Sequence, residues 1–465
     1  MAVGRKSIGI IGAGASGLTC AKHMMEEGWD VTLYEIGSHV GGMWVYQNDN
    51  KRSSAYRTLH INTARDLTSF SDYPFDRAVQ PFPSHWDMAK YLGDYAAHFG
   101  IMPHVRFNTK IVDLRPAPSY SAAKPRWQLT TQTGEVHEHD TVVVATGHLT
   151  KPLEVAMFRD GFKGEYLHSH HYKEPADFVR KRVCVIGVGN SALDIASDLA
   201  MTAERTVLVA RSSALIIPKL LFGRPFWDTI QPFYKPWIPA AVRNRILKAL
   251  VYVIQGDMKR LGFPTQAKRV HATSNANIVN HIHYRRVTVK QGIERIDGKT
   301  LHFVDGTSAD FDTMIAATGY EIDLDFVKPD IIAIKDNGLD LYMRIVPPDW
   351  RGLYFLAFFN SDTALNWICE GQTRWIREHE AGRAALPSPA DMHAEIEQRK
   401  AWVRQNFKDT PRHAIEVEHL PYFADLKRTM AEAQKRASAP VRDIGIGFKP
   451  KKGTLPLPPR AEAAE

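Results

Sequence analysis

The sequence predicts an α/β protein made of two nested Rossmann-like dinucleotide-binding domains, and three observations carry that prediction. Two glycine-rich turns, at 12–17 and 187–192, each stand between an apolar run of strand character and a segment of helical periodicity. Two later segments, DTVVVATGH at 140–148 and DTMIAATGY at 312–320, repeat a single design of acid, apolar strand and Ala-Thr-Gly turn. Each of them follows one of the glycine turns. The 465 residues, 44% hydrophobic and 24% charged, suffice for two or three packed domains and exclude disorder, coiled coil or collagen as descriptions of the whole.

The first unit begins at 6–17, KSIGIIGAGASG. Gly12 permits the tight turn, Gly14 lets a pyrophosphate approach, and Gly17 lets the helix pack closely on the strand, with phosphate facing the helix N-terminus. LTCAKHMMEEG reads as the helix, ended by Gly28, and WDVTLYE as the next strand. Glu35 closes that strand 23 residues after Gly12, where a carboxylate accepts hydrogen bonds from ribose hydroxyls.

The second unit is RVCVIGVGNSALDIA at 182–196, with Gly187 and Gly189 in place and Ala192 at the third glycine position. A methyl there costs only slight separation of helix and strand. The following strand, TVLVARSS, ends on Arg211 and not on an acid. A guanidinium pairs with a 2'-phosphate, which favours NADPH over NADH; the alternative is that Arg211 is a surface charge. In both units the small Thr-Gly turn after the acid-led strand (Thr146; Thr318 and Gly319) brings backbone close to a cofactor or to the crossing between domains.

This order implies nesting, with the first domain over 1–160 and 326–440 and the second over 161–325. GLYFLAFF at 352–359 reads as a buried strand returning to the first domain, and 362–382 as a loop feeding a helix. Residues 216–272, rich in Pro and aromatics, read as short helices and irregular turns inserted in the second domain. They form an apolar mouth over the active site, a dimer contact or a membrane-surface patch. After Leu426 the chain turns basic and Ala-rich and closes on KKGTLPLPPRAEAAE, which predicts an extended arm or disorder, placed at 441–465.

Composition narrows the partners. Lys and Arg exceed Asp and Glu by 59 to 51, but the excess is spread along the chain, so no nucleic-acid surface is expected. Cys20, Cys184 and Cys369 are too scattered for a disulfide framework or a ligand knuckle, which fits a reducing compartment. With no secretory pattern at the start, and ILKALVYVI at 246–254 far short of a bilayer span, the expected location is the cytoplasm. The histidines of HSHH at 168–171 lack a Cys or acid at ligand spacing, so no metal is expected.

FKGEYLHSHHY at 162–172 resembles the FxGxxxHxxx(F/Y) fingerprint of flavin-containing monooxygenases and their Baeyer-Villiger relatives, through Phe162, Gly164, His168 and Tyr172. GGMW at 41–44, LHINTARDLTSFSDYPF at 59–75, GVGNSALDIA, ATGY and EGQTRW at 370–375 are similar to that family's landmarks, in its order, over nearly the whole chain. The resemblance implies FAD in the first domain and NADPH/NADP+ across the second. It also implies a C4a-peroxyflavin formed with O2, oxygen transfer to a small organic substrate with a soft N or S centre, and a homodimer. It puts Asn62 at the flavin edge, where a neutral amide donates and accepts without imposing charge; the residue-level alternative is a turn residue. His168 is implied at the hinge between domains, with a backbone-satisfied histidine and a titrating group both open. Gly42, Trp44, Asn190, Ser191 and Gln372 join the expected cofactor contacts through these motifs, and Trp44 and Tyr320 are candidate walls.

The resemblance is to soluble microbial forms, because the C-terminal membrane anchor of animal members has no counterpart. Hydride and oxygen-atom transfer require alignment and a dry pocket more than an acid or base, so the lack of a Ser-His-Asp or paired-carboxylate pattern is no objection. Two other readings stand beside heteroatom oxygenation: Baeyer-Villiger oxidation of a carbonyl substrate, and a pyridine-nucleotide-linked flavin reductase without oxygenation. No CxxC stands beside the flavin segment, which disfavours a disulfide reductase.

Overall fold

Both glycine turns leave the carboxyl end of a buried parallel strand. The computed structural model describes residues 5–447 except 231, 232, 234, 236, 266–271 and 407–413. One five-stranded sheet has the order Leu353–Phe355, Thr141–Val144, Ser7–Ile11, Asp30–Tyr34, Val105–Arg106, all parallel. The second has the order Val287–Lys290, Arg205–Val209, Arg182–Ile186, Thr313–Ala316, Glu165–His168, again all parallel. Strands such as Thr141–Val144 and Thr313–Ala316 are buried at every residue, as expected when both faces of a parallel sheet are covered. The fold is therefore the doubly built α/β architecture expected from the two glycine turns.

The repeated acid has one job in both sheets. Asp140 Oδ2 accepts from the Ser7 backbone N–H at 2.8 Å, and Asp312 Oδ2 accepts from the Arg182 backbone N–H at 2.9 Å. Each carboxylate pins the start of the neighbouring glycine-turn strand. The Arg182 guanidinium grips Asp312 as well, at 2.8 Å, and holds its carboxyl well below the usual carboxylate range. Each sheet also carries a three-stranded antiparallel ribbon, at 111–139 and at 293–310.

The chain returns from the second sheet to the first at Leu353–Phe355, whose Leu353 registers with Val142. Residues 352–359 are buried as expected, but only Leu353–Phe355 are strand. Ala357 leaves the sheet with φ +68°, a left-handed backbone that a side chain adopts only where its surroundings enforce it. Helix Leu365–Glu380 follows and packs on helix Ala15–Met25.

Two expectations need correction. The 216–272 insertion is not only short pieces, since Ala240–Gln255 is a 16-residue helix. Arg243, Arg245 and Lys248 interrupt its apolar residues, and the Pro- and aromatic-rich stretch before it reads as turns. The basic stretch after Leu426 is helix, not arm: His419–Arg436 runs on because Leu426, Met430 and Ala433, at helical spacing, are buried in the first core. Residues 441–447 form neither helix nor strand, with Ile446 buried, and the rest of the 441–465 arm lies outside the described residues. Among the described residues no helix is long and apolar enough to cross a membrane.

Candidate active site

Glycine packing at the first turn leaves no slack. A Cβ at Gly17 would stand 1.9 Å from the Gly12 carbonyl oxygen, so only glycine lets helix Ala15–Met25 sit this close to its strand. Gly12 itself turns at φ +105°, with its N–H held by the Tyr34 carbonyl at 2.8 Å. The helix begins at Gly14 without a side-chain cap and without an acid in its first turn. Its leading N–H groups therefore remain available to an anion. Gly42 faces Gly14 so closely that a Cβ on Gly42 would lie 3.1 Å from the Gly14 Cα.

A cavity of about 470 Å3 opens over this turn and reaches both sheets. From the first come Gly12, Gly14, Glu35, Gly42, Trp44, Asn62 and Thr146; from the second come Asn190 and Ser274. Glu35 is buried, and its carboxylate accepts from the backbone N–H groups of Ala13 and Gly37, each at 2.9 Å. Those bonds fix it at the strand end with lone pairs left for a ribose.

Two polar atoms in this wall have no partner within the protein, Asn62 Oδ1 and Thr146 Oγ1. Buried polar atoms without partners are costly and uncommon, and both residues line this cavity. The segment that carries Asn62 is tied to other elements: Lys219 Nζ donates to the carbonyl of the preceding Ile61 at 3.3 Å, and, six residues on, Asn366 Nδ2 donates to the Thr68 carbonyl at 2.8 Å. Glycine cradle, uncapped helix and orphaned polar atoms together fit a bound flavin dinucleotide.

The second turn repeats the design. Helix Asn190–Leu199 starts at Gly189 with no side-chain cap and no acid in its first turn, and Gly187 turns at φ +131°. Asn190 Oδ1 accepts from the Ser274 N–H at 3.3 Å, and Ser191 stands in the first helical turn. Arg211 is exposed, two residues beyond strand Arg205–Val209. Neither Ser191 nor Arg211 lines the cavity.

Gly17, Gly187 and Gly189 do not line the cavity either, and Gln372, Thr318 and Gly319 stand away from it for a visible reason. Gln372 is fully buried two helical turns below it, where its oxygen accepts from the Ala357 N–H at 3.2 Å and its amide donates to Tyr422 Oη at 2.7 Å. It supports the left-handed turn at Ala357, which does line the cavity. Thr318 Oγ1 donates to the Leu153 carbonyl at 2.6 Å, so this Thr-Gly turn, with Gly319, serves the crossing between sheets, where Tyr320 pairs with Pro152. Thr146 alone takes the cavity role.

His168 is buried too, with Nδ1 accepting from the His170 N–H at 3.1 Å and its ring edge-on to Tyr320. Burial pushes its imidazole down to about 4, so at neutral pH the ring is uncharged, with its one proton on Nε2. It stands beside the Gly319 turn with Tyr320 packed against it, and neither residue lines the cavity. Sequence reasoning missed Asn50 and Arg52, which reach the cavity from an aperiodic loop, and Glu418, which arrives from far along the chain. Asn50 Nδ2 donates to Glu35 Oε1 at 3.4 Å.

A cavity that runs from one dinucleotide-type turn to Asn190, at the start of the helix after the second, defines a flavin- and nicotinamide-class oxidoreductase. The chain belongs to the flavin-binding monooxygenase-like family, whose model matches residues 5–441, and is a flavin-dependent monooxygenase. It is 32% identical to flavin-containing monooxygenase 5 of Rattus norvegicus over 96% of this chain and 86% of that protein. Its fold matches S-allyl-L-cysteine S-oxygenase from Allium sativum with a TM-score of 0.69, at 22% identity, over 95% of this chain and 91% of the other. It also matches NADP+-bound cyclohexanone monooxygenase from Rhodococcus sp. Phi1 with a TM-score of 0.65, at 18% identity, over 93% and 99%.

Proposed function

We propose that FAD is held by residues 1–160 and 326–440 and NADPH by 161–325, and that the enzyme transfers one atom of O2 to a soft N or S centre of a small organic substrate. The observation that carries this is one cavity lined by Gly14 at the uncapped helix start, by Glu35, by Asn62 with its orphaned oxygen, and by Asn190 after the second turn. When bound, NADPH supplies a hydride to the flavin and the reduced flavin activates dioxygen; NADPH, a proton, O2 and substrate become NADP+, water and oxidised substrate.

The chain's own residues hold and shield these groups. Gly12, Gly14 and the first turn of helix Ala15–Met25 take the FAD pyrophosphate, Glu35 the ribose, and Gly42, Trp44 and Thr146 the walls. Asn62 presents its amide to the reacting edge, fixing orientation without adding charge. Gly187, Gly189, Asn190 and Ser191 take the NADPH pyrophosphate, and Arg211, at the end of the next strand, takes the 2'-phosphate. His168 keeps the Gly319 turn in place as a neutral ring.

Three buried, free cysteines suit a reducing cytoplasm, and the working assembly is a homodimer, which sedimentation tests. The test of the reaction is turnover of a methyl sulfide, a tertiary amine and a ketone by the purified yellow protein with NADPH in air. Sulfoxide or N-oxide formed in step with NADPH consumption supports the proposal. Lactone or ester alone moves the assignment to Baeyer-Villiger oxidation, and NADPH consumption with no oxygenated product refutes oxygen transfer.

A further inference from the structure

The insertion at 216–260 holds a second cavity that the reaction as described does not use. It measures about 290 Å3 and is lined almost wholly by apolar side chains, among them Leu221, Phe222, Ile230, Ile246 and Leu250. Several of these reach the surface: Phe222 is 89% exposed at the tip of a hairpin, and Ile246 is 47% exposed. Exposed side chains of this size cost solvation and ordinarily mark a binding surface.

The two cavities share a wall one side chain thick. Leu247 lines both. Helix Ala240–Gln255 turns Asn244 to the large cavity and Ile246 and Leu250 to the small one, and helix Phe226–Ile230 likewise turns Trp227 one way and Ile230 the other. Beside Leu247 the wall is completed by an ion pair, Arg243 Nη2 to Glu418 Oε2 at 3.8 Å, both side chains 6% exposed. Arg243 lines the small cavity and Glu418 the large one. The paired guanidinium leaves the small cavity without an unbalanced charge, and its Nη1 is fastened to the Ile238 carbonyl at 2.6 Å.

We propose that this small cavity is the entrance vestibule for uncharged, apolar substrates, and that Leu247 is the gate through which they pass to the reaction cavity. The inference rests on the oxygen-transfer reading above and adds to it the substrate class, lipophilic sulfides and amines in preference to small polar ones. Continuity through Leu247 names a transiting small molecule as the occupant. Passage requires the Leu247 isobutyl group, 7% exposed, to change rotamer, while the Arg243–Glu418 pair holds the wall beside it.

The experiment compares octyl methyl sulfide with 2-(methylthio)ethanol on the holoenzyme, in wild type, Leu250→Trp and Ile246→Asp. Leu250→Trp fills the vestibule; Ile246→Asp, at a half-exposed surface position, charges it and keeps the test open if the tryptophan disturbs folding. Either change is expected to raise KM for the octyl sulfide at least tenfold, leaving KM for the polar sulfide and NADPH oxidation without sulfide within twofold. Equal effects on both sulfides, or none, overturn the proposal. A shift in sedimentation or in binding to anionic vesicles with an unmoved KM ratio also overturns it, assigning the patch to a second copy or to lipid. Should wild type oxidise neither sulfide, the oxygen-transfer reading itself has failed. Nile red binding then decides the vestibule separately: displacement by octyl methyl sulfide and loss in Ile246→Asp support it, and indifference to both refutes it.

Discussion

Gly14 and Gly17 stand three residues apart in one turn, and the structure predicts opposite consequences for adding a methyl to each. At Gly17 the new Cβ would lie 1.9 Å from the Gly12 oxygen and 3.0 Å from its carbonyl carbon. A relaxed carbon–oxygen contact needs about 3.3 Å, so the helix must retreat by more than 1 Å from backbone that cannot yield. Overpacking of this kind costs roughly 3 kcal/mol, which lowers Tm by about 6–12 °C for a domain of this size. At Gly14 the new Cβ would meet only the Gly42 Cα at 3.8 Å, an ordinary contact, on an extended backbone with φ −78°. Gly14→Ala is therefore expected to melt within about 0.5 kcal/mol of wild type when stripped of flavin. Its methyl instead occupies the approach to the helix N-terminus. Losing two charge-assisted hydrogen bonds there costs roughly 3–6 kcal/mol, or about 10^2 to 10^4 in affinity for FAD. Thermal melts of the apoproteins, followed by FAD titration read by flavin fluorescence, separate the two effects. If apo Gly14→Ala melts as low as apo Gly17→Ala, or binds FAD as wild type does, the assignment of this turn as the pyrophosphate seat is wrong.

Asn62→Leu removes a buried oxygen that has no protein partner, so Tm is expected to hold or rise slightly while NADPH oxidation shifts from product to hydrogen peroxide; unchanged coupling would make Asn62 a turn residue. Arg211→Ala, at an exposed position, is expected to raise KM for NADPH by about 10- to 100-fold and leave both Tm and NADH use unchanged. Acid should unfold the protein steeply. His139, His168 and His170 are pushed down to about 4 and His379 to about 3, mainly by burial, so below pH 6.5 the unfolded chain takes up protons that the native one refuses. Asp198, raised by burial to about 6, works the other way and offsets one of them. Stability is expected to be full above pH 6.5 and to fall by roughly 3 kcal/mol per pH unit toward pH 4; a flat urea midpoint across that range would contradict it.

The parts of the site that repeat a local pattern were legible in the sequence, and the parts assembled from separate loops were not. Glycine spacing, the strand-ending Glu35 and the paired acid-strand-Thr-Gly segments encode their roles within a few neighbouring residues, so the two sheets and the phosphate turns could be read directly. The two Thr-Gly turns look identical as sequence yet diverge in the fold, because Thr146 opens on the cavity while Thr318 is spent on the Leu153 carbonyl. Gln372 and His168 belong to recognisable motifs but act from behind the wall. Asn50, Arg52 and Glu418 carry no periodicity and meet the cavity only through tertiary packing. The 240–255 helix was obscured by charges scattered among its apolar residues, which leave exposed Ile246, Tyr252 and Val253 beside buried Val251.

The central claim is that this cavity moves one atom of molecular oxygen onto a substrate at the expense of NADPH. It is tested most directly by turnover of a methyl sulfide under 18O2 in unlabelled water, with mass analysis of the product and a parallel count of NADPH consumed. The account predicts one 18O in each sulfoxide and one sulfoxide per NADPH. Unlabelled sulfoxide, or hydrogen peroxide equal to the NADPH consumed with no sulfoxide formed, would contradict it.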